Sequence, residues 1–142
     1  MIVSLIRFVL GFIAATLVAG TVQVLFVAGD ELVAGVTSSR LEALGLLALL
    51  AATQSAVFGA PFAILAAVVA AWLPIRSGLF FAGVGIAIAL AGFLTQYAGE
   101  GGPSTILNPY ALAAYLASGL AGGLVYWLVA VPRTRPRAVA AN

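Results

Sequence analysis

Three glutamines, Gln23, Gln54 and Gln96, stand inside long apolar runs and are the side chains whose presence most needs a chemical reason. A primary amide both donates and accepts hydrogen bonds, and placing one in hydrocarbon without a partner is costly. Each must therefore meet another polar group, on a neighbouring segment or on a ligand. Thr21 precedes Gln23, Thr53 and Ser55 bracket Gln54, and Thr95 and Tyr97 bracket Gln96, so polar atoms gather around all three. Two readings stay open. One is a polar site for a headgroup, a quinone or a small solute. The other is hydrogen bonding between membrane helices, worth on the order of 0.6 kcal/mol per pair.

Other chemistry is hard to build from this chain. It has no cysteine and no histidine, and its one methionine is Met1. That removes disulfides, thiolate metal sites and covalent c-type haem, together with the usual axial ligand of haem and the commonest proton carrier near neutral pH. No Asp, Glu, Lys or Arg falls within the apolar runs, whereas intramembrane ionisable groups are the usual mark of ion pathways and proton relays. Paired-carboxylate acid–base chemistry is missing for the same reason. No catalytic residue, cofactor or metal ligand is expected, and the chain does not read as an enzyme. The Gly-Glu-Gly-Gly-Pro-Ser-Thr stretch from Gly99 lacks the Gly-Lys-Ser/Thr ending of a phosphate loop and reads as a connection.

The elements that hold these amides follow from composition. Of 142 residues, 64% are hydrophobic and 7% charged, with a mean hydropathy of +1.22. Soluble domains carry about 25% charged residues, so this is the composition of a membrane protein. A bilayer-crossing helix needs about 20 apolar residues, and four of them with short loops use nearly the whole length. The expected fold is all-α, an antiparallel bundle of four transmembrane helices forming one membrane domain, with spans near 8–28, 43–72, 79–97 and 109–131 and a basic tail over 132–142.

The first span begins like a signal peptide, with Arg7, an apolar run and small residues at Ala19-Gly20. Its apolar run of about 20 residues is long for a signal core, so a retained helix is expected. Loop 1, Gly29 to Glu42, holds Asp30, Glu31 and Glu42, and Ser39-x-x-Glu42 has the form of a capping box that would start the second helix. That helix is too long to cross upright, and Pro61 is its expected kink. Asn108-Pro109 supplies a cap and a first-turn proline for the fourth span.

Orientation is written in the arginines, which make up all six basic residues. Arg7, Arg76, Arg133, Arg135 and Arg137 fall on one side of the membrane and Arg40 alone on the other. The positive-inside rule then makes both termini cytoplasmic. Trp72 and Tyr126-Trp127 mark the inner interface, Tyr97 and Tyr110 the outer one. The pI of about 9.5 reflects scattered and membrane-edge charges, not a nucleic-acid surface. The tail arginines act as topology anchors that can also touch anionic lipid. Arginine without lysine, with abundant alanine, points to a GC-rich bacterial genome.

Each span also carries small residues at every fourth position, which lie on one helix face and allow close backbone approach in lipid. The rows are Gly11, Ala15, Ala19 and Gln23; Ala48, Ala52, Ala56 and Ala60; Gly83, Ala87, Ala91 and Thr95; and Ala114, Ser118 and Gly122, with Gly119 and Gly123 beside the last. The face of Ser118, Gly119, Gly122 and Gly123 serves either packing inside the bundle or contact with a partner.

The segments Gln54-Ser55-Ala56-Val57-Phe58, Gly85-Ile86-Ala87-Ile88-Ala89-Leu90-Ala91-Gly92-Phe93, Thr105-Ile106-Leu107-Asn108 and Gly122-Gly123-Leu124-Val125-Tyr126-Trp127-Leu128 resemble those of a group of small four-helix inner-membrane proteins of alphaproteobacteria that have no assigned activity. The resemblance supplies no catalytic or binding residues. Small multidrug exporters need a glutamate in the first helix, and fluoride channels a Gly-Gly-x-x-Gly-Ala-x-x-Arg motif; both are missing here. The resulting expectation is a multi-pass protein of the bacterial inner membrane. It would serve as a non-catalytic accessory or scaffold subunit of a larger respiratory or photosynthetic complex, with lipids and other membrane subunits as partners and no nucleic acid. The alternative is a small oligomeric channel or facilitator for a neutral solute or lipid.

Overall fold

Helices end where the backbone is forced out of helical geometry, not where hydrophobicity ends. The computed structural model describes residues 2–73, 75–97 and 109–131, without the side chains of Glu31 and Tyr97. Among them are four helices: α1 (Ile2–Ala34), α2 (Ser38–Trp72), α3 (Gly78–Tyr97) and α4 (Pro109–Ala130). All four are long and apolar enough to cross a membrane. By length and composition the chain is a multi-pass membrane protein.

The first connection is much shorter than the expected loop from Gly29 to Glu42. Helix α1 runs through Asp30 and Glu31 and stops only before Gly35, whose φ of +96° is a conformation that suits glycine. Charged residues end the membrane-compatible stretch without breaking backbone hydrogen bonding. The capping box fails too. The N-cap is Thr37, with φ −71° and ψ 156° and no side-chain cap bond, and its carbonyl accepts the N–H groups of Arg40 (3.0 Å) and Leu41 (3.1 Å). Ser39 already lies inside the helix, its hydroxyl 3.3 Å from that of Thr37. At 33 and 35 residues, α1 and α2 are each about 50 Å long, well beyond a hydrocarbon core of about 30 Å. Pro61 lies within α2, which continues on both sides of it.

The bundle inverts the size pattern of a water-soluble core. Large Leu, Ile and Val side chains cover the outside, while many buried positions are small: Ala28, Ala52, Ala82, Ala114, Ser118, Gly119, Gly122 and Gly123. Lipid solvates leucine as well as a protein interior does, so contact area gained by close backbone approach decides which faces meet. Helix α4 lies between α1 and α3, α2 packs on α1, and α2 and α3 touch only lightly.

The contacts are backbone to backbone. A Cβ on Gly119 would collide with the Gly85 carbonyl oxygen, and one on Gly123 with that of Phe81. A Cβ on Gly122 would lie 3.1 Å from the Ala15 carbonyl oxygen and 3.5 Å from the Ala19 Cβ. One on Gly20 would come within 2.5 Å of the Ala48 carbonyl oxygen and 2.6 Å of the Ala52 nitrogen. Thus Gly119 and Gly123 face α3, Gly122 faces α1, and the row Gly11, Ala15, Ala19 and Gln23 faces α4.

The expected row on the third span is not its packing row. Gly83 and Ala87 are exposed, and nothing lies within 4 Å of a Cβ built on Gly83. Phe81, Ala82, Gly85 and Ala89, one to two residues away around the helix, meet α4 instead. Spacing alone finds a face but does not say which face is chosen.

Candidate functional site

Because α2 leans on α1 while α3 leans on α4, a cleft of about 310 Å³ opens between α2 and α3 and is lined by all four helices. The helical repeat brings its walls together. Helix α2 contributes Ala51, Gln54, Ser55, Phe58 and Gly59, and α3 contributes Phe81, Gly85, Ile88, Gly92, Thr95 and Gln96, each set following the three- and four-residue spacing of one face. Phe12, Ala15, Ala19 and Gln23 of α1, with Tyr115, Ser118, Gly122 and Tyr126 of α4, complete the lining. The two walls touch lightly across the gap: a Cβ on Gly59 would be 3.6 Å from Ile88, and one on Gly92 3.6 Å from the Phe58 ring.

Three glutamines from three helices therefore line one cleft, with Thr95 beside Gln96. Tyr97 belongs to α3, but its side chain lies outside the described residues, as do Asn108, the connection over 98–108 and the tail with Arg133, Arg135 and Arg137.

A hydrogen-bonded chain fixes two of the amides. The Tyr115 hydroxyl donates to Gln96 Oε1. The Ser118 hydroxyl donates to the Tyr115 carbonyl at 2.8 Å, and Gln23 Nε2 donates to Ser118 Oγ at 3.4 Å. Ser118 is 1% exposed, so the acceptor end of this bond is buried. Gln54 is exposed to the cleft, with no hydrogen bond among the described residues. The threonines are satisfied locally: Thr95 Oγ1 donates to the Gly92 carbonyl at 2.9 Å and Thr53 Oγ1 to that of Leu49 at 2.8 Å.

The opposite end of the cleft is aromatic. Phe81 and Tyr126 pack with ring centroids 5.4 Å apart, and Phe8 meets Tyr126 edge-on at 6.1 Å. Near the amides, Phe93 meets Tyr115 edge-on at 5.4 Å and so steadies the ring whose hydroxyl holds Gln96. Among the described residues, the lining contains no Asp, Glu, Lys, Arg, His or Cys. It can hydrogen-bond and exclude water, and it offers neither a nucleophile with a base nor a metal-ligand set.

Sequence reasoning missed Tyr115 and placed Ser118 only on a helix-packing or partner-contact face. The available signal was the run Tyr115, Ser118, Gly119 and Gly122, one face at intervals of three, one and three residues. The aromatic members Phe12, Phe58 and Phe81 were hidden among equivalent apolar neighbours.

Residues near the ends of the helices also find partners. Trp127 Nε1 donates to the Arg76 carbonyl at 2.8 Å, and its indole lies 3.1 Å from a Cβ built on Gly78. The Tyr110 hydroxyl donates to the Phe26 carbonyl. Trp72, by contrast, is 86% exposed. Compared with known protein families, curated proteins and solved structures, the chain matches none.

Proposed function

We propose that the chain is a non-catalytic subunit of a larger complex in the bacterial inner membrane, an antiparallel bundle with both termini on the cytoplasmic side. The observation that carries the subunit reading is the outward row of Gly83 and Ala87 on α3: both are exposed, and among the described residues nothing lies within 4 Å of a Cβ built on Gly83. Small residues give lipid little contact area, and their use in membranes is to let another helix approach. The lining of the cleft adds support, since Gln, Thr, Ser, Tyr and apolar side chains suit binding better than turnover.

Antiparallel order is supported by contacts that run in reverse. Along α1 and α4, Gly11 meets Ala130, Ala15 meets Gly122, Gln23 meets Ser118 and Phe26 meets Tyr110. Along α3 and α4, Gly78 meets Trp127, Phe81 meets Gly123 and Gln96 meets Tyr115. The Arg76 carbonyl accepts from Trp127 near the end of α4, and Phe8, next to Arg7 in sequence, meets Tyr126, in agreement with one basic side.

Gentle extraction of the full chain followed by mass spectrometry tests this reading. Stoichiometric membrane partners are expected, and Gly83→Leu should release them while the isolated chain keeps its melting temperature. A clean homo-oligomer that passes a neutral solute across liposomes would favour the channel reading and sink this one.

A further inference from the structure

We infer that the cleft between α2 and α3 binds a neutral amphiphile, its hydrogen-bonding head among Gln23, Gln54 and Gln96 and its apolar part along Phe12, Phe58 and Phe81. This goes beyond the subunit reading and does not depend on it.

The head end is a set of unspent hydrogen-bonding capacity. The known bonds engage one polar atom of Gln23 and one of Gln96. Whichever way each amide is turned, its other atom has no hydrogen bond among the described residues. Gln54 has neither atom engaged among the described residues. Three amides lining one cleft from three helices offer both donors and acceptors, which suits a hydroxyl or carbonyl head. An amide in the membrane interior is costly unless partnered, and a bound head supplies the partner that the protein does not.

Charge and size narrow the occupant. With no charged side chain among the described lining residues, an anionic or cationic head would enter a low-dielectric site without a described counter-charge, which is strongly disfavoured. The occupant is therefore neutral. The cleft holds about 310 Å³. That volume lies at the lower end of the ~300–1,000 Å³ typical of small-molecule sites. It fits a head and the first part of a chain, the rest of which lies in the lipid beyond the light α2–α3 contact.

The test uses the full chain in phosphatidylcholine nanodiscs with a diazirine-bearing monoacylglycerol, photolysed and mapped by peptide mass spectrometry. Labelling is expected to saturate and to concentrate on cleft residues. Monoolein should compete with it, whereas oleate and glycerol should not. Gln54→Leu should cut cleft labelling at least about fivefold, the loss of one good hydrogen bond. It should leave helicity and melting temperature unchanged, because that side chain holds nothing else in place. Ser55→Phe, which fills the cleft without removing an amide, should abolish labelling and keeps the test decisive if the leucine variant folds poorly. Labelling spread evenly over the outer faces of the helices, as a cleft holding only water would give, overturns the proposal. Equal competition by oleate, or labelling indifferent to both variants, overturns it as well.

Discussion

Leucine in place of Gly85 is expected to destabilise the bundle by about 3 kcal/mol or more, at the upper end of what overpacking costs. A Cβ at this position collides with the Gly119 carbonyl oxygen and lies 3.1 Å from both the Gly119 carbonyl carbon and the Gly123 Cα. Every one of those atoms is backbone, so no side chain can rotate away and α3 must separate from α4. Because α4 is also the helix on which α1 packs, the separation removes the scaffold of the whole fold. Gly83→Leu, two residues along the same helix, should change stability by no more than about 0.5 kcal/mol, as open positions generally do, since a Cβ there meets nothing within 4 Å. Detergent-micelle unfolding by SDS titration, followed by circular dichroism, measures both. Equal behaviour of the two variants would refute the assignment of the α3 faces.

Gly20→Leu is expected to act differently, by detaching one helix. The new side chain would meet the Ala48 carbonyl oxygen at 2.5 Å, the Ala52 nitrogen at 2.6 Å and the Ala52 Cα at 2.9 Å, again backbone on every side. Helix α2 leans chiefly on α1 and only lightly on α3, so only that light contact holds it once the α1 contact is lost. The cleft should lose a wall and Gln54 its place in the lining it shares with Gln23 and Gln96. Stability should fall by roughly 1–3 kcal/mol, less than for Gly85→Leu, because α1, α4 and α3 keep their mutual contacts. A partial early transition in the unfolding curve, together with loss of amphiphile labelling, is the expected signature. A single cooperative collapse matching that of Gly85→Leu would show that α2 is bound more tightly than its contacts imply.

Much of the fold was legible because membrane helices announce themselves through length and apolarity. The start of α4 at Pro109 and that of α3 at Gly78 lie within a residue of expectation. The overrun of α1 into Asp30 and Glu31 was not legible, since charge marks the edge of the lipid while Gly35 marks the edge of the helix. The start of α2 shows the same limit: Ser39 and Glu42 carry the pattern of a cap, but the extended Thr37 takes the position.

The site was legible in part. Polarity in an apolar run singled out Gln23, Gln54 and Gln96, and all three line the cleft. Tyr115 was harder to see, because a tyrosine in a membrane segment is ordinary until a partner such as Gln96 appears beside it. The choice between α3 faces was invisible for a related reason. Gly83 and Gly85 are chemically alike, and only the approach of Gly119 and Gly123 distinguishes them.

The central claim is that α4 is clasped by α1 and α3, leaving the cleft between α2 and α3. The chain contains no cysteine, so a designed pair can report it directly. Cβ atoms at positions 19 and 122 would stand 3.5 Å apart, inside the ~3.5–4.5 Å window of a disulfide. Ala19→Cys with Gly122→Cys, oxidised in native membranes, should cross-link almost completely within one chain, while Gly83→Cys with Gly122→Cys should not. Failure of the first pair, or efficient linkage of the second, would contradict the arrangement on which the site depends.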